Sequence, residues 1–305
     1  MSIAVSRHSS LDSWGILFRA GNSATGIFGV FLGAVLAIKA IPEGEIALIT
    51  SLHAFSVFSF MCSWNALNDY LDVDIDRVNR PERPIPSGKI TLLQAKTAII
   101  ISLTLSFLSL AIAGVVANDT DGGLEGWMPA LAIWAIALLL LVNYESSSPI
   151  SLGLKDRGLP GNIAISLSVG MVVLLGAAGV FEPYNHRAWT AFTIGFLFNL
   201  AREIVKDVED MKGDKGRETF AMRAGPERAR LIAWLILIVT LTAILFPFAW
   251  GIFPKPHLVL VIPSVVILLM VKPKLFGCED RTAQMMIKRS MQLCLVAFLV
   301  SSLIH

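Results

Sequence analysis

Nine apolar runs set the limits on this chain, each close to the ~20 residues that a helix needs to cross a lipid hydrocarbon core. They lie near residues 16–39, 47–70, 92–117, 127–147, 160–181, 188–208, 228–252, 256–272 and 284–304, with Pro254-Lys255-Pro256 parting the last two but one. In lipid, every backbone N–H and C=O must find its partner inside the protein, so runs of this kind fold as helices. The charge content agrees: 16% of the residues are charged, against about 25% in a soluble domain. The expectation is an all-α, polytopic membrane protein, one domain over residues 1–305, with the lipid bilayer as its surroundings and no nucleic-acid partner.

Basic residues orient it. With the N-terminus in the cytoplasm, Lys39, Arg187 and Lys255 are the exceptions among 25 lysines and arginines; the rest fall in cytoplasmic segments or the span ends beside them. Such an excess on one side predicts nine spans, N-terminus inside and C-terminus outside. The first run has no small-residue cleavage pattern, so no removable signal peptide is expected. Asp12 and Ser13 can cap the first helix. Cys62, Cys278 and Cys294 show neither metal spacing nor a disulfide framework.

Chemistry concentrates in two stretches. In residues 65–89, Asp69, Asp72, Asp74 and Asp76 fall within eight residues. On a helix, Asn68, Asp72 and Asp76 are spaced i, i+4, i+8, with Asp69 beside them. Like charges this close repel unless cations neutralise them, and an oxygen-only set suits a hard cation, Mg²⁺ first. A basic, proline-punctuated loop follows, with Arg77, Arg80, Arg83 and Lys89. In residues 206–214, Asp207, Asp210 and Asp214 repeat the i, i+3, i+7 spacing of Asp69, Asp72 and Asp76, again between an apolar run and a basic loop.

Either cluster alone reads equally as a solvated acidic helix end. Two copies at one spacing, four spans apart and on one side of the membrane, argue against that and hint at an internal duplication. Carboxylates rimmed by Arg and Lys suit a polyanion bridged by metal ions, and a helical bundle behind them offers room for a hydrocarbon tail. An allylic diphosphate satisfies both halves. An ion-coupled transporter is the alternative of another class, because intramembrane carboxylates also bind coupling ions; a passive isoprenoid-binding protein is a third.

At these residues the sequence resembles the UbiA superfamily of intramembrane prenyltransferases. Asn68-Asp69-x-x-Asp72-x-x-x-Asp76 matches its first signature, Arg80-Pro-Glu-Arg83-Pro-Ile-Pro-Ser-Gly88 the segment after it, and Lys206-Asp207-x-x-Asp210-x-x-x-Asp214 its second. The resemblance implies two Mg²⁺ ions between the clusters, held by Asn68, Asp69, Asp72, Asp76, Asp207, Asp210 and Asp214 or by partners of these. Arg19 and Asn22 match an Arg and an Asn of the family's first helix, although an Arg there also reads as a side chain snorkelling to the interface. Tyr144, Lys155 and Gly161-Asn162 match the Tyr, Lys and Gly-Asn after span 4, with a longer Tyr-to-Lys spacing than the family's Y-x-x-x-K; an interfacial Tyr is the other reading.

The residues expected to act in catalysis are thus Asp72, Asp76, Asp207, Asp210, Tyr144 and Lys155. Those expected on the diphosphate are Arg19, Asn22, Arg77, Arg83, Lys155, Asn162, Arg202 and Lys206. Arg202 and Glu203 can instead pair with charges nearby, and His53 reads as a core residue rather than a base. The Arg-Glu-Ile-Val-Lys run and the acidic motif after it look most like the archaeal ether-lipid branch, which joins a geranylgeranyl group to the free hydroxyl of geranylgeranylglyceryl phosphate. The aromatic acceptors of quinone pathways remain the alternative.

Overall fold

The computed structural model describes residues 10–145, 151–211 and 218–304, and among them all regular structure is helical. Nine helices of 19 to 28 residues lie over the nine apolar runs: α2 (Ala20–Ile38), α3 (Gly44–Leu71), α5 (Leu92–Asn118), α6 (Gly123–Tyr144), α7 (Leu159–Gly179), α8 (His186–Asp210), α10 (Pro226–Ala249), α11 (Leu258–Phe276) and α12 (Asp280–Leu303). Short helices α1 (Ser10–Leu17), α4 (Val73–Asn79) and α9 (Phe220–Ala224) join them. Eight of the long helices, α11 together with the turn before it, are apolar enough to cross a membrane. The exception is α8, which is long enough but carries charges at both ends.

One apolar run is not a single helix. The stretch at 16–39 breaks between α1 and α2, where Arg19 adopts a left-handed backbone (φ 46°, ψ 51°). A side chain in that region costs about 1–3 kcal/mol and persists only where its surroundings demand it. Arg19 closes the C-terminal end of α1, its N–H donating to Ile16 C=O, and from this turn its guanidinium reaches Asp69, 2.9 Å away. The acidic stretch breaks too, at Asp72 between α3 and α4. The bonds Asp72 N–H to Asn68 C=O and Asp76 N–H to Asp72 C=O nonetheless continue through the break, so the four-residue spacing survives it.

Small residues set the helix packing. A Cβ on Gly33 of α2 would lie 1.9 Å from the Val173 carbonyl oxygen, and one on Gly176 of α7 would lie 2.0 Å from that of Val30. The two backbones therefore touch directly, as helices do in lipid, where dispersion and close approach replace the hydrophobic drive. Gly33→Val is expected to destabilise the protein by about 3 kcal/mol, read as loss of the monodisperse peak in size-exclusion chromatography; an unchanged peak and melting temperature would contradict this contact. Buried hydroxyls stitch other pairs: Ser56 of α3 donates to Ser106 C=O of α5 at 2.8 Å, and Ser264 of α11 to Ser290 C=O of α12 at 2.7 Å.

The basic loop between α4 and α5 is also anchored. Ile85 and Ile90 are buried with Leu17, Ala66 and Ala95, and Thr91 and Gln94 form a capping box that starts α5. This anchoring holds Arg80 and Arg83 over the C-terminal end of α3.

Candidate active site

A cavity of about 1010 Å³ runs into the bundle from the end where α3 and α8 finish. Its inner wall is apolar, built from Val57, Phe60, Met61, Trp134, Ile165 and Val172 among others. Its outer end is charged. From one side come Asn68, Asp72 and Asp76, and from the other Asp207 and Asp210.

Each carboxylate is engaged by a donor. Lys155 Nζ donates to Asn68 Oδ1 at 2.9 Å and Asp72 Oδ2 at 3.0 Å, and lies 3.5 Å from Glu145 Oε2. Arg83 Nη1 donates to Asp76 Oδ2 at 2.6 Å and to Asp69 Oδ1 at 3.1 Å. Asn162 Nδ2 donates to Asp207 Oδ2 at 3.0 Å. Arg80 Nη2 and Asp210 Oδ1 are 4.0 Å apart, an ion pair that links the first motif's loop to the second motif. Burial pushes the Asp76 carboxyl above the usual carboxylate range, against the Arg83 hydrogen bond and charge that lower it.

Local sequence explains how Lys155 reaches this point. It sits in the 3₁₀ turn Leu154–Asp156, with Gly153 (φ 59°) before it and Gly158 (φ 72°) after. The turn packs so closely on the start of α7 that a Cβ on Gly161 would lie 2.4 Å from the Leu154 carbonyl oxygen. Gly161 admits the lysine turn, and the neighbouring Asn162 reaches Asp207.

Of the residues expected from sequence, Arg19, Asn22, Asn68, Asp72, Asp76, Arg83, Tyr144, Lys155, Asn162, Arg202, Lys206, Asp207 and Asp210 all line this one cavity. Asp69 does not; it is buried behind the wall, where its Oδ1 accepts from both Arg19 and Arg83 and so orients two guanidiniums. Arg77 stands outside, paired with Asp74 at 2.6 Å on an exposed face. One residue past Asp76 is a rotation of about 100° around the helix, which carries Arg77 away from the cavity. Asp214 lies outside the described residues. Arg202 and Lys206 share Glu203, at 2.9 and 3.4 Å. His53 is a core residue away from the cavity, accepting from Trp127 Nε1 at 3.0 Å. Sequence reasoning missed Arg80 as the link to Asp210, and Glu145, whose signal was a carboxylate at the very end of an apolar run beside Tyr144.

Among the described residues no three acidic, histidine or cysteine side chains converge on a preformed metal position. The donor chemistry still fits Mg²⁺. All candidate ligands are oxygens, and this ion is commonly held by one or two carboxylates with substrate phosphates completing its shell.

Fold and site together define a polytopic helical membrane protein with one deep pocket, apolar inside and charged at its outer end. The chain belongs to the UbiA prenyltransferase family, which it matches over residues 26–296. It is 33% identical over 284 residues to a digeranylgeranylglyceryl phosphate synthase of Thermococcus gammatolerans, covering 91% of this chain and 93% of the relative. A solved digeranylgeranylglyceryl phosphate synthase structure superimposes with TM-score 0.72 at 26% identity, covering 96% of this chain and 99% of the other. A UbiA homolog from Archaeoglobus fulgidus bound to GPP and Mg²⁺ shares the fold, with TM-score 0.62 at 16% identity, covering 95% and 99% of the two chains.

Proposed function

We propose that this prenyltransferase moves a geranylgeranyl group from its diphosphate to the free hydroxyl of geranylgeranylglyceryl phosphate, the ether-forming step of an archaeal-type lipid synthesis. The observation that carries this reading is the two-sided charged end of one cavity, with Asn68, Asp72 and Asp76 opposite Asp207 and Asp210, opening onto an apolar interior. The names of its relatives support the acceptor.

In this reading the carbon–oxygen bond between the allylic C1 and the diphosphate breaks, and both electrons leave with the diphosphate. The acceptor hydroxyl oxygen then bonds to C1, and its proton passes to the diphosphate or to water. Mg²⁺, two ions in this proposal, supplies charge neutralisation on the departing diphosphate. Asn68, Asp72 and Asp76 would hold one ion and Asp207, Asp210 and Asp214 the other. Arg83, Lys155, Arg202 and Lys206 would clamp phosphate oxygens, with Asp69 and Asn162 fixing the orientation of their partners. Preorganised charge of this kind, aimed where the leaving group develops it, is the main source of rate. The apolar wall excludes water from the cation until the acceptor arrives.

The same reading has nine spans, α8 included, because positive charge gathers on one side. It places the N-terminus and the active site at the cytoplasmic face, with a single domain carrying duplicated motifs. Purified protein in detergent with Mg²⁺ and geranylgeranyl diphosphate tests it. A lipid ether with geranylgeranylglyceryl phosphate, and none with 4-hydroxybenzoate, is expected. An aromatic product would move the acceptor class, and absence of diphosphate release with either would return the binding or transport readings.

A further inference from the structure

Among the described residues, one basic side chain at the charged end of the cavity has no acidic partner. Arg19, Arg83 and Lys155 pair with aspartates of the first motif, Arg80 reaches Asp210, and Arg202 and Lys206 share Glu203. Among the described residues the remaining basic side chain on the wall is Lys288 of α12. It is half-buried, and among the described residues no carboxylate lies within 4.0 Å of it.

Its height in the bundle follows from the register of α12 against α8. Arg187 of α8 donates to Ser302 of α12 at one end, and Gln284 of α12 meets Glu209 of α8 at the other. The two helices are therefore antiparallel, and Lys288, one turn on from Gln284, stands level with the turn Arg202–Lys206. Beyond it the cavity follows the gap between α12 and α2, with Gln292 and Val296 exposed on one side and Thr25 and Phe28 on the other. A lipid entering along that gap would bring its head group to Lys288, at the charged end of the cavity.

We propose that Lys288 anchors the phosphate monoester of the acceptor, so that α12 selects a phosphate-bearing lipid alcohol over a neutral one. The inference rests on the prenyl-transfer reading above and deepens it: that reaction brings together two phosphorylated substrates, and in it Arg83, Lys155, Arg202 and Lys206 go to the diphosphate of the donor. A half-buried ammonium without a carboxylate carries charge that an anion neutralises with a charge-assisted hydrogen bond. Gln292, one turn further along, adds an amide donor at the exposed edge of the same wall.

The test compares Lys288→Gln with wild type using geranylgeranylglyceryl phosphate and its phosphate-free alcohol, geranylgeranylglycerol. The variant is expected to raise KM for the phosphorylated acceptor about tenfold or more, leaving KM for geranylgeranyl diphosphate and for the alcohol within about twofold. Lys288→Arg, which keeps the charge, is expected to restore most of the loss and guards against a folding defect. An equal loss with both acceptors, a rise confined to the donor, or no change at all would overturn the assignment; the last leaves Lys288 as a topology-setting charge only. Wild-type protein that turns over 4-hydroxybenzoate and ignores the phosphorylated acceptor would instead overturn the reading on which the inference rests.

Discussion

Asp72→Asn and Asp210→Asn are each expected to lower turnover about a thousandfold, equivalent to roughly 4 kcal/mol of lost transition-state stabilisation. Each change keeps the side chain's shape and removes one negative charge from the end of the cavity where the diphosphate is to leave. Lys155 keeps Asn68 and Glu145 as partners when Asp72 is neutral, and Arg80 meets Asp210 at 4.0 Å, too long a contact to decide folding. Both variants should therefore retain helical content and elution volume, which circular dichroism and size-exclusion chromatography read directly. The two positions sit on opposite sides of the cavity, in motifs far apart in sequence. Comparable losses at both would mean that both sides act on one diphosphate. A variant of either kind that keeps wild-type turnover at saturating Mg²⁺ would remove the two-sided mechanism.

Removing divalent cations is expected to abolish turnover completely, and adding Mg²⁺ back to restore it. The structure adds a sharper expectation. Lys155, Arg83 and Asn162 hydrogen-bond carboxylates of both motifs, so these carboxylates have partners within the protein itself. EDTA alone should leave the melting temperature unchanged. Mg²⁺ together with a donor diphosphate should raise it, by the mass action of a ligand that binds only the folded state. Neither component should do so fully by itself, since the phosphate oxygens complete the metal's shell. Full activity in excess chelator would end the metal's role, and a large destabilisation by EDTA alone would point to a structural ion instead.

Much of this architecture is legible in the sequence because lipid leaves a helix few alternatives. The apolar runs and the described helices differ by no more than about four residues at either end. The break at Arg19 was not legible. It is a left-handed turn within a run of apolar residues, and the Asp69 that its side chain reaches lies fifty residues away. The candidate site was readable as motifs and only partly as geometry. Asp69 and Asp72 look alike in the sequence, yet one is buried behind the wall holding two arginines and the other faces the cavity. Arg77 and Arg83 look alike as well. The helix rotation past Asp76 turns the first outward, while buried Ile85 and Ile90 pull the second's loop back over the cavity. Glu145 went unread because a single carboxylate after an apolar run has no spacing to mark it. Its relevance comes from the 3₁₀ turn that folds Lys155 back against it.

The most direct test of the two-sided site is anomalous diffraction from crystals grown with Mn²⁺ and an unreactive thiolodiphosphate analogue of the donor. The account predicts two metal peaks beside the diphosphate, one against Asn68, Asp72 and Asp76 and one against Asp207 and Asp210. A diphosphate bound in the cavity with no metal between it and either set of carboxylates would contradict it.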